Sequence, residues 1–162
     1  MNYQGPVLLG AGHVVDEFDC GDSALDDWLQ TKALHNQREG GSRTWVVLDD
    51  RRVVAFYASS TAVLLGSQAT KRAARNHPDP LPALLLGRLA VDTGHQGRGL
   101  AAALLKHFLV KALEIAELTG VRVLLVHAKN DAAVRFYTRY GFEPSPVDDL
   151  TPMLLLKDLR PS

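Results

Sequence analysis

The fold is decided by the segment Asp92-Thr-Gly-His-Gln-Gly-Arg-Gly-Leu-Ala101, which stands between two long apolar stretches. The stretch before it, Ala83–Val91, has the length and composition of a central β-strand. The stretch after it repeats apolar residues at helical spacing from Leu104 to Ala116 and ends at Gly120. The predicted order is therefore strand, glycine-containing loop, helix.

A loop of this kind at the start of a helix has the properties of a phosphate site. Unpaired backbone N–H groups and the positive end of the helix dipole meet there, and glycines let a phosphate approach the main chain. We expect the amides of Gly97–Ala101 to hold a pyrophosphate, with a tight turn that binds nothing as the simpler alternative. The segment has neither the Gly-Lys-Ser/Thr of a Walker loop nor the three-glycine spacing of a dinucleotide fold.

Composition predicts one globular domain over residues 1–162. Hydrophobic residues make up 46% and charged residues 22% of the 162 residues, the balance of an ordinary folded domain. Eighteen basic and eighteen acidic side chains give a formal charge of zero, so a polyanion would have to be met by a local basic patch.

The cysteine and histidine content gives no sign of a disulfide or a metal site. Cys20 is the only cysteine, and the six histidines lack metal-ligand spacing. The amino-terminal segment lacks the features of a secretory signal, and Val53–Thr70 is too polar to span a membrane. We therefore expect a cytoplasmic protein without a metal or a membrane partner.

The patterning before the loop predicts further elements. Ser23–Asp26 has the form of a helix capping box, and apolar residues at helical spacing follow it up to Gly40. Thr44–Leu48 and Val53–Tyr57 flank a charged turn and predict an antiparallel hairpin. A basic, proline-containing insertion, Lys71–Pro82, precedes the central strand.

Two motifs carry a family resemblance. Gln96–Ala101 resembles the acyl-coenzyme A loop of the GNAT family of N-acetyltransferases, Gln/Arg-x-x-Gly-x-Gly/Ala. Asn130–Tyr137 and the Gly141–Phe142 pair that follows are similar to the family's second motif, Asn-x-x-Ala-x-x-Phe/Leu-Tyr and Gly-Phe. Predicted strands at Val121–Val126 and Met153–Leu156 complete the similarity. The resemblance implies the α/β GNAT fold, a mixed and mostly antiparallel central sheet flanked by helices, with strands splayed around the acyl-CoA site.

By this resemblance acetyl-CoA is the cosubstrate. Its pyrophosphate is expected on the loop, and its thioester carbonyl on a main-chain N–H near the end of the central strand. Asn130 is expected to hydrogen-bond the pantetheine arm, with helix capping alone as the alternative. The expected acetyl-CoA contacts are Leu89, Ala90, Val91, Gln96, Gly97, Arg98, Gly99, Leu100, Ala101, Asn130, Ala133 and Phe136.

Tyr137 matches the family's general acid. A phenol with a pKa of about 10 is protonated at neutral pH and can protonate a leaving thiolate whose thiol resembles cysteine, with a pKa of about 8.5. Simple aromatic packing is the alternative role for this residue. Gly141 is expected to end the helix in a left-handed turn and to return Phe142 to the core.

The sequence offers no strong general base for the acceptor amine. Tyr57 and Arg88 are the polar residues of the two central apolar strands, and neither strand carries an inward carboxylate. A lysine amine with a pKa of about 10.4 needs such a base, whereas an α-amine at about 7.7 to 8.0 already has a substantial neutral fraction. The sequence therefore favours an α-amine acceptor.

Nearly the whole chain resembles the GNAT toxins of bacterial toxin–antitoxin modules. The similar segments are Phe18–Leu29, Arg43–Val47, Arg75–Pro82 and Gly87–Asp92. The resemblance implies acetylation of the α-amine of aminoacyl-tRNA, inhibition of translation and neutralisation by a ribbon-helix-helix antitoxin. A homodimer is a further expectation, because these toxins are commonly dimers.

A polyanionic substrate needs cationic contacts. The run from Lys71 to Arg75 carries no compensating acid in the sequence, although each cation alone could be an ordinary solvated charge. The candidate RNA contacts are Arg38, Arg43, Lys71, Arg72, Arg75 and Arg88. Two other functions stay open: a GNAT enzyme acting on a small amine or protein N-terminus, and a non-catalytic module that binds acetyl-CoA or a partner.

Overall fold

The computed structural model describes residues 2–159. The strands are β1 (Tyr3–Leu8), β2 (Arg43–Asp49), β3 (Arg52–Leu64), β4 (Leu81–Val91), β5 (Val123–Val126) and β6 (Met153–Leu155). The α-helices are α1 (Ser23–Thr31), α2 (Ala33–Arg38), α3 (Lys71–Ala74), α4 (Leu100–Ala116) and α5 (Asp131–Arg139). Short 3₁₀ turns precede α3, precede α4 and follow β6.

The chain packs as two compact units. The first contains the described chain up to Ser60 together with Arg88–Leu109, and the second contains Thr61–Gly87 and the chain from Val110 onward. The strands β3 and β4 and the helix α4 each contribute residues to both units.

In the first unit an antiparallel hairpin organises the sheet. β2 pairs with β3 through Thr44↔Ala58 and Val46↔Phe56, as the sequence predicts, and β1 adds an antiparallel strand to β2. The apolar core of this unit packs α1 and α2 against the sheet, with Leu29 and Phe56 among its most buried side chains. The Asp92 amide donates to the Val54 carbonyl, which attaches the end of β4 to β3.

The second unit contains both parallel and antiparallel strand pairs. β4 pairs in parallel with β5 through Leu84↔Leu124, so the chain between them must cross over, and it does so through α4. β5 then pairs antiparallel with β6 through Leu124↔Leu154, and all four residues of β5 are buried. The residues of β4 that pair with β5 end at Leu86, although the strand continues to Val91. The expected mixed, mostly antiparallel α/β arrangement is confirmed.

The start of α1 differs from the prediction. The cap is Asp22 rather than Ser23: the Asp22 carboxylate accepts from the amides of Ala24 and Leu25 at 3.0 and 3.4 Å. Aspartate and serine are equally good caps, so the local pattern could not place the boundary to one residue. The helix expected to run on to Gly40 is also broken at Lys32, where α1 ends and α2 begins.

The predicted ends of α5 are confirmed. The Asn130 side chain accepts from the Ala133 amide at 2.9 Å and caps the helix. Gly141 takes a left-handed φ of +96°, and Phe142 returns to the core with 2% of its surface exposed. Among residues 2–159 no helix has both the length and the apolar composition needed to cross a membrane.

Replacing Asp22 by alanine is expected to reduce the free energy of unfolding by about 1 kcal/mol, because two amides at the start of α1 lose their acceptor. Urea denaturation followed by circular dichroism measures the change. Ser23→Ala is the matched control and is expected to change stability by less than about 0.5 kcal/mol. A larger effect for Ser23→Ala than for Asp22→Ala would contradict the cap seen here.

Candidate functional site

The glycine loop lies in the first unit and opens directly into α4. Gly97 and Gly99 have left-handed φ values of +77° and +79°, and α4 begins at Leu100. Because the first amides of a helix have no intrahelical acceptor, the N–H groups of Leu100 and Ala101 are suited to bind an anion. Residues Gln96–Gly99 are exposed, so a ligand can reach the loop.

The base of the loop is fixed by buried polar contacts. The buried Asp92 carboxylate accepts from the amides of Asp19 and Gly94 at 3.1 and 2.9 Å. His95, also buried, has its Nδ1 2.7 Å from the Tyr3 hydroxyl. The loop is therefore held in place before any ligand arrives, which reduces the entropy that binding must overcome.

The end of β4 lies in the same unit. Ala90 is buried in the core, whereas Leu89 and Val91 are half-buried. Gln96 Nε2 donates to the Val91 carbonyl at 3.1 Å, so in this structure that side chain ties the loop back to β4.

The second motif lies on α5, in the second unit. Asn130 caps the helix, and Ala133, one turn later, is half-buried. The ring of Phe136 contacts the rings of Tyr137 and Tyr140, with centroids 5.1 and 5.2 Å apart. Tyr140 is 44% exposed, in keeping with a packing role on the helix surface.

The side chain of Tyr137 is buried, and its hydroxyl is protonated at neutral pH. Only 3% of its surface is exposed, and its ring packs edge-on against Phe142 with centroids 5.8 Å apart. Burial raises the pKa of Tyr137 far above that of a free phenol, because the charged form would lose its hydration. Within residues 2–159 no hydrogen bond engages its hydroxyl, so the proton is not committed to another protein group.

The structure also shows a polar pair that sequence reasoning missed. The hydroxyl of Tyr57, on β3, lies 2.6 Å from His107 Nδ1, on α4, and the His107 ring packs on Trp45 with centroids 4.6 Å apart. Burial raises the pKa of Tyr57, which therefore stays a neutral phenol. His107 lies within the apolar, periodic stretch of α4, so the sequence pattern did not single it out. Its partner Tyr57 is 50 residues away, and only the fold brings the two together.

A second missed feature is the support beneath Arg88. The Arg88 guanidinium carbon lies 4.2 Å from the centroid of the Trp28 ring, within cation–π range. Trp28 in turn lies nearly parallel to Phe56, with an interplanar angle of 13° and centroids 6.1 Å apart. Trp28 is one of the apolar residues at helical spacing after Ser23–Asp26, and it lies in the core. That spacing did not predict that one face of its ring would contact a cation.

The expectation that no acid compensates the Lys71–Arg75 run is wrong for Arg72. Its guanidinium forms two 2.8 Å hydrogen bonds with Asp158, and Glu143 lies 3.9 Å away. The hydrogen bonds from Arg72 lower the pKa of Asp158 below its ordinary value. The acids are far from Arg72 in sequence, so a local reading could not find them.

The other basic candidates are exposed cations in two groups. Arg38 and Arg43 lie in the first unit, where Arg43 Nη1 donates to the Gln37 carbonyl at 2.9 Å. Lys71 and Arg75 lie on and just after α3 in the second unit. The guanidinium of Arg122 donates to the carbonyls of Ala73, Arg72 and Arg75 and so fixes the end of this short helix.

The elements follow the order of an acyltransferase fold: β4, the glycine loop, α4, the parallel strand β5, and then the capped helix α5 that carries Tyr137. The profile of the acetyltransferase (GNAT) domain matches residues 40–144. The chain is also 44% identical over 158 residues to a tRNA-acetylating toxin of Mycobacterium tuberculosis (strain ATCC 25618 / H37Rv), covering 98% of this chain and 95% of that protein. The chain belongs to the GNAT acetyltransferase family.

Solved structures of one GNAT toxin, AtaT, share this fold. AtaT complexed with acetyl-methionyl-tRNAfMet matches with a TM-score of 0.87 and 25% identity over 98% of this chain and 96% of that one. AtaTR bound with acetyl-CoA matches with a TM-score of 0.82 and 26% identity, covering 98% and 95%. A tyrosine-to-phenylalanine mutant of AtaT bound to the C-terminus of the antitoxin AtaR matches with a TM-score of 0.80 and 25% identity, covering 98% and 93%.

Gly99→Ala is expected to weaken acetyl-CoA binding about 10-fold, because a Cβ at a φ of +79° strains the turn and shifts the amides that follow. Isothermal titration calorimetry measures the affinity. Gly120→Ala is the matched control, since Gly120 lies beyond α4 with open space around its added Cβ. Equal affinities for the Gly99→Ala variant and the unaltered protein would exclude the loop as the pyrophosphate site.

Proposed function

We propose that this protein transfers an acetyl group from acetyl-CoA to the α-amine of the amino acid on a charged tRNA, and so inhibits translation. The similarity to the tRNA-acetylating toxin of M. tuberculosis along nearly the whole chain carries this proposal. The fold shared with AtaT complexes that contain acetyl-methionyl-tRNA or acetyl-CoA supports it.

The residues of the first unit would bind and polarise the acetyl donor. Amides of Gly97–Ala101 hold the pyrophosphate, with Gln96, Arg98 and Leu100 lining the loop. The acyl carbonyl lies on the main chain of Leu89–Val91, where an N–H donates to the oxyanion that forms as the amine attacks.

The residues of α5 would bind the pantetheine arm of acetyl-CoA and supply the acid. Asn130, Ala133 and Phe136 contact the pantetheine arm. As the C–S bond breaks, the sulfur leaves with the bonding electrons and takes the phenolic proton of Tyr137. The proton lost by the acetylated amine restores the phenol. The raised pKa of Tyr137 supports this role, because the phenol stays protonated across the neutral to mildly alkaline range in which the acceptor amine loses its proton.

The acceptor amine needs no strong base. An α-amine with a pKa of about 7.7 to 8.0 has a substantial neutral fraction at the pH of a cell. This property matches an aminoacyl ester far better than a lysine side chain. The pH dependence of the rate should therefore follow the amine and not an acidic residue of the protein.

Exposed cations would bind the RNA backbone. Arg38, Arg43, Lys71 and Arg75 are available for phosphate contacts, and Arg88 would lie near the acceptor end. Arg72 could contribute only by exchanging Asp158 for a phosphate, so we expect it to contribute least.

The same proposal includes the partners and the location. A ribbon-helix-helix antitoxin would neutralise the enzyme, and the complex of AtaT with the antitoxin AtaR supports an antitoxin partner. A homodimer would let two sets of cations bind one tRNA. The protein would act as one GNAT domain over residues 1–162, in the cytoplasm, where charged tRNA is used.

Labelled acetyl-CoA tests the proposal directly. Incubated with charged tRNA, polyamines and peptides together, the protein is expected to place label on the α-amine of the aminoacyl-tRNA. The rate should fall steeply with ionic strength, because RNA binding releases counterions, whereas transfer to a small amine should be nearly insensitive to salt. Label found only on polyamine or peptide would overturn the proposal in favour of the small-amine or N-terminal acetyltransferase, and no transfer at all would favour a binding module.

Tyr137→Phe is expected to keep acetyl-CoA affinity within about 2-fold and to lower kcat by about 10²-fold, because only the acidic hydroxyl is lost. Calorimetry and single-turnover acetylation measure the two quantities. Tyr140→Phe, on the same helix, is the matched control and is expected to leave both unchanged. An unchanged kcat for Tyr137→Phe would remove this residue from the mechanism.

A further inference from the structure

Arg88 is a partly desolvated cation without an anionic partner. It lies on β4 in the first unit, and burial lowers its pKa because the charged form loses hydration. Within residues 2–159 no carboxylate forms an ion pair with Arg88, and no protein acceptor takes a hydrogen bond from its guanidinium. A partly buried charge without a carboxylate partner is costly, so such an arrangement suits a site that binds an anion.

The guanidinium is nevertheless held against an aromatic ring of the core. Phe56 on β3, Trp28 on α1 and Arg88 on β4 form a layered column, in which the face of Trp28 supports the cation. Phe18 meets Phe56 edge-on, with ring centroids 5.5 Å apart. Trp28 is only 7% exposed, so the column is anchored in the core. The contact with Trp28 uses the charge of the guanidinium and none of its N–H groups, so these stay available for a planar, bidentate acceptor.

The position of Arg88 in the chain indicates which anion it meets. It directly precedes Leu89–Val91, the segment that the proposed function places at the thioester carbonyl. In a charged tRNA the amino acid is esterified to the terminal ribose, and the nearest negative charge is the phosphodiester on the 5′ side of that ribose. An acceptor amine brought to the thioester therefore brings this phosphodiester close to it.

The other candidate cations are less suited to this task. Arg43 is exposed, and Arg72 is already paired with Asp158. Exposed charges are screened by water and salt, whereas a partly buried guanidinium interacts more strongly with a phosphate that it binds. Arg88 can therefore discriminate between acceptors with and without that phosphate.

We propose that Arg88, oriented by Trp28, binds the phosphodiester on the 5′ side of the terminal nucleoside of charged tRNA and so selects a tRNA-borne amine over a free amine. This inference rests on the proposed function and deepens it. Arg88 is a substrate-binding residue in this scheme, and Trp28 is a positioning residue that acts through it.

Two minimal acceptors separate the phosphate from the rest of the RNA. An aminoacyl adenosine carries the amine and the terminal nucleoside but no phosphodiester, and an aminoacyl cytidylyl-adenosine dinucleotide adds that group with one further nucleoside. The unaltered protein is expected to prefer the dinucleotide in kcat/KM. Arg88→Met is expected to reduce the ratio of kcat/KM for the dinucleotide to kcat/KM for the nucleoside by about 30-fold. Arg88→Lys is expected to reduce it by about 5-fold, because lysine keeps the charge but loses the paired N–H groups of the guanidinium.

The positioning role of Trp28 is tested by the same ratio of kcat/KM for the dinucleotide and nucleoside acceptors. Trp28→Leu is expected to reduce it by about 5-fold through KM for the dinucleotide, and Trp28→Phe to recover most of the loss, because a π-face is retained. Thermal melting and acetyl-CoA titration show whether each variant is folded. If Trp28→Leu does not fold, the comparison of Trp28→Phe with Arg88→Lys still tests orientation separately from charge. Arg51→Met is the matched control, since Arg51 is an exposed arginine whose guanidinium donates to the Gly12 carbonyl and lies outside the proposed site.

Several outcomes would overturn the inference. One is an equal loss on both acceptors in the Arg88→Met variant, and another is a raised KM for acetyl-CoA but not for its dephosphorylated analogue, which would assign Arg88 to the coenzyme's 3′-phosphate. If the unaltered protein prefers the dinucleotide and Arg88→Met keeps that preference, only this inference fails. If the unaltered protein acetylates neither acceptor and no charged tRNA, the proposed function fails and the inference falls with it.

Discussion

The left-handed turn at Gly97 and Gly99 is the constraint on which the proposed chemistry depends. It directs the chain from the end of β4 into α4, whose first amides have no acceptor within the helix. The buried Asp92 carboxylate fixes the base of this turn by accepting two backbone amides. Because the loop is built from main-chain groups on a rigid support, its anion-binding capacity depends on backbone geometry more than on side-chain identity.

Features encoded by neighbouring residues could be predicted from the sequence. The hairpin of β2 and β3, the loop before α4 and the capped helix α5 all follow from patterns a few residues long, and each formed as expected. β1 was not predicted, since Gly5 and Pro6 interrupt its alternation and weaken any strand signal.

Features made by residues far apart in the chain could not be predicted. The Arg72–Asp158 pair joins residues separated by 86 positions, and it changes a supposed free cation into a compensated one. The support of Arg88 by Trp28 likewise joins elements from the two separate chain segments that build the first unit. Composition and periodicity show that a cation is present, but only the folded chain shows whether an acid or an aromatic ring meets it.

Both tryptophans of the chain, Trp28 and Trp45, lie in the first unit. Intrinsic indole fluorescence therefore reports on that unit alone, and the second unit, which carries Tyr137, gives no emission of this kind. The two indoles also have different neighbours, a guanidinium for Trp28 and the His107 imidazole for Trp45. Under the proposal for Arg88, acceptor binding would alter the emission of Trp28 and leave that of Trp45 unchanged, so indole fluorescence would report this binding.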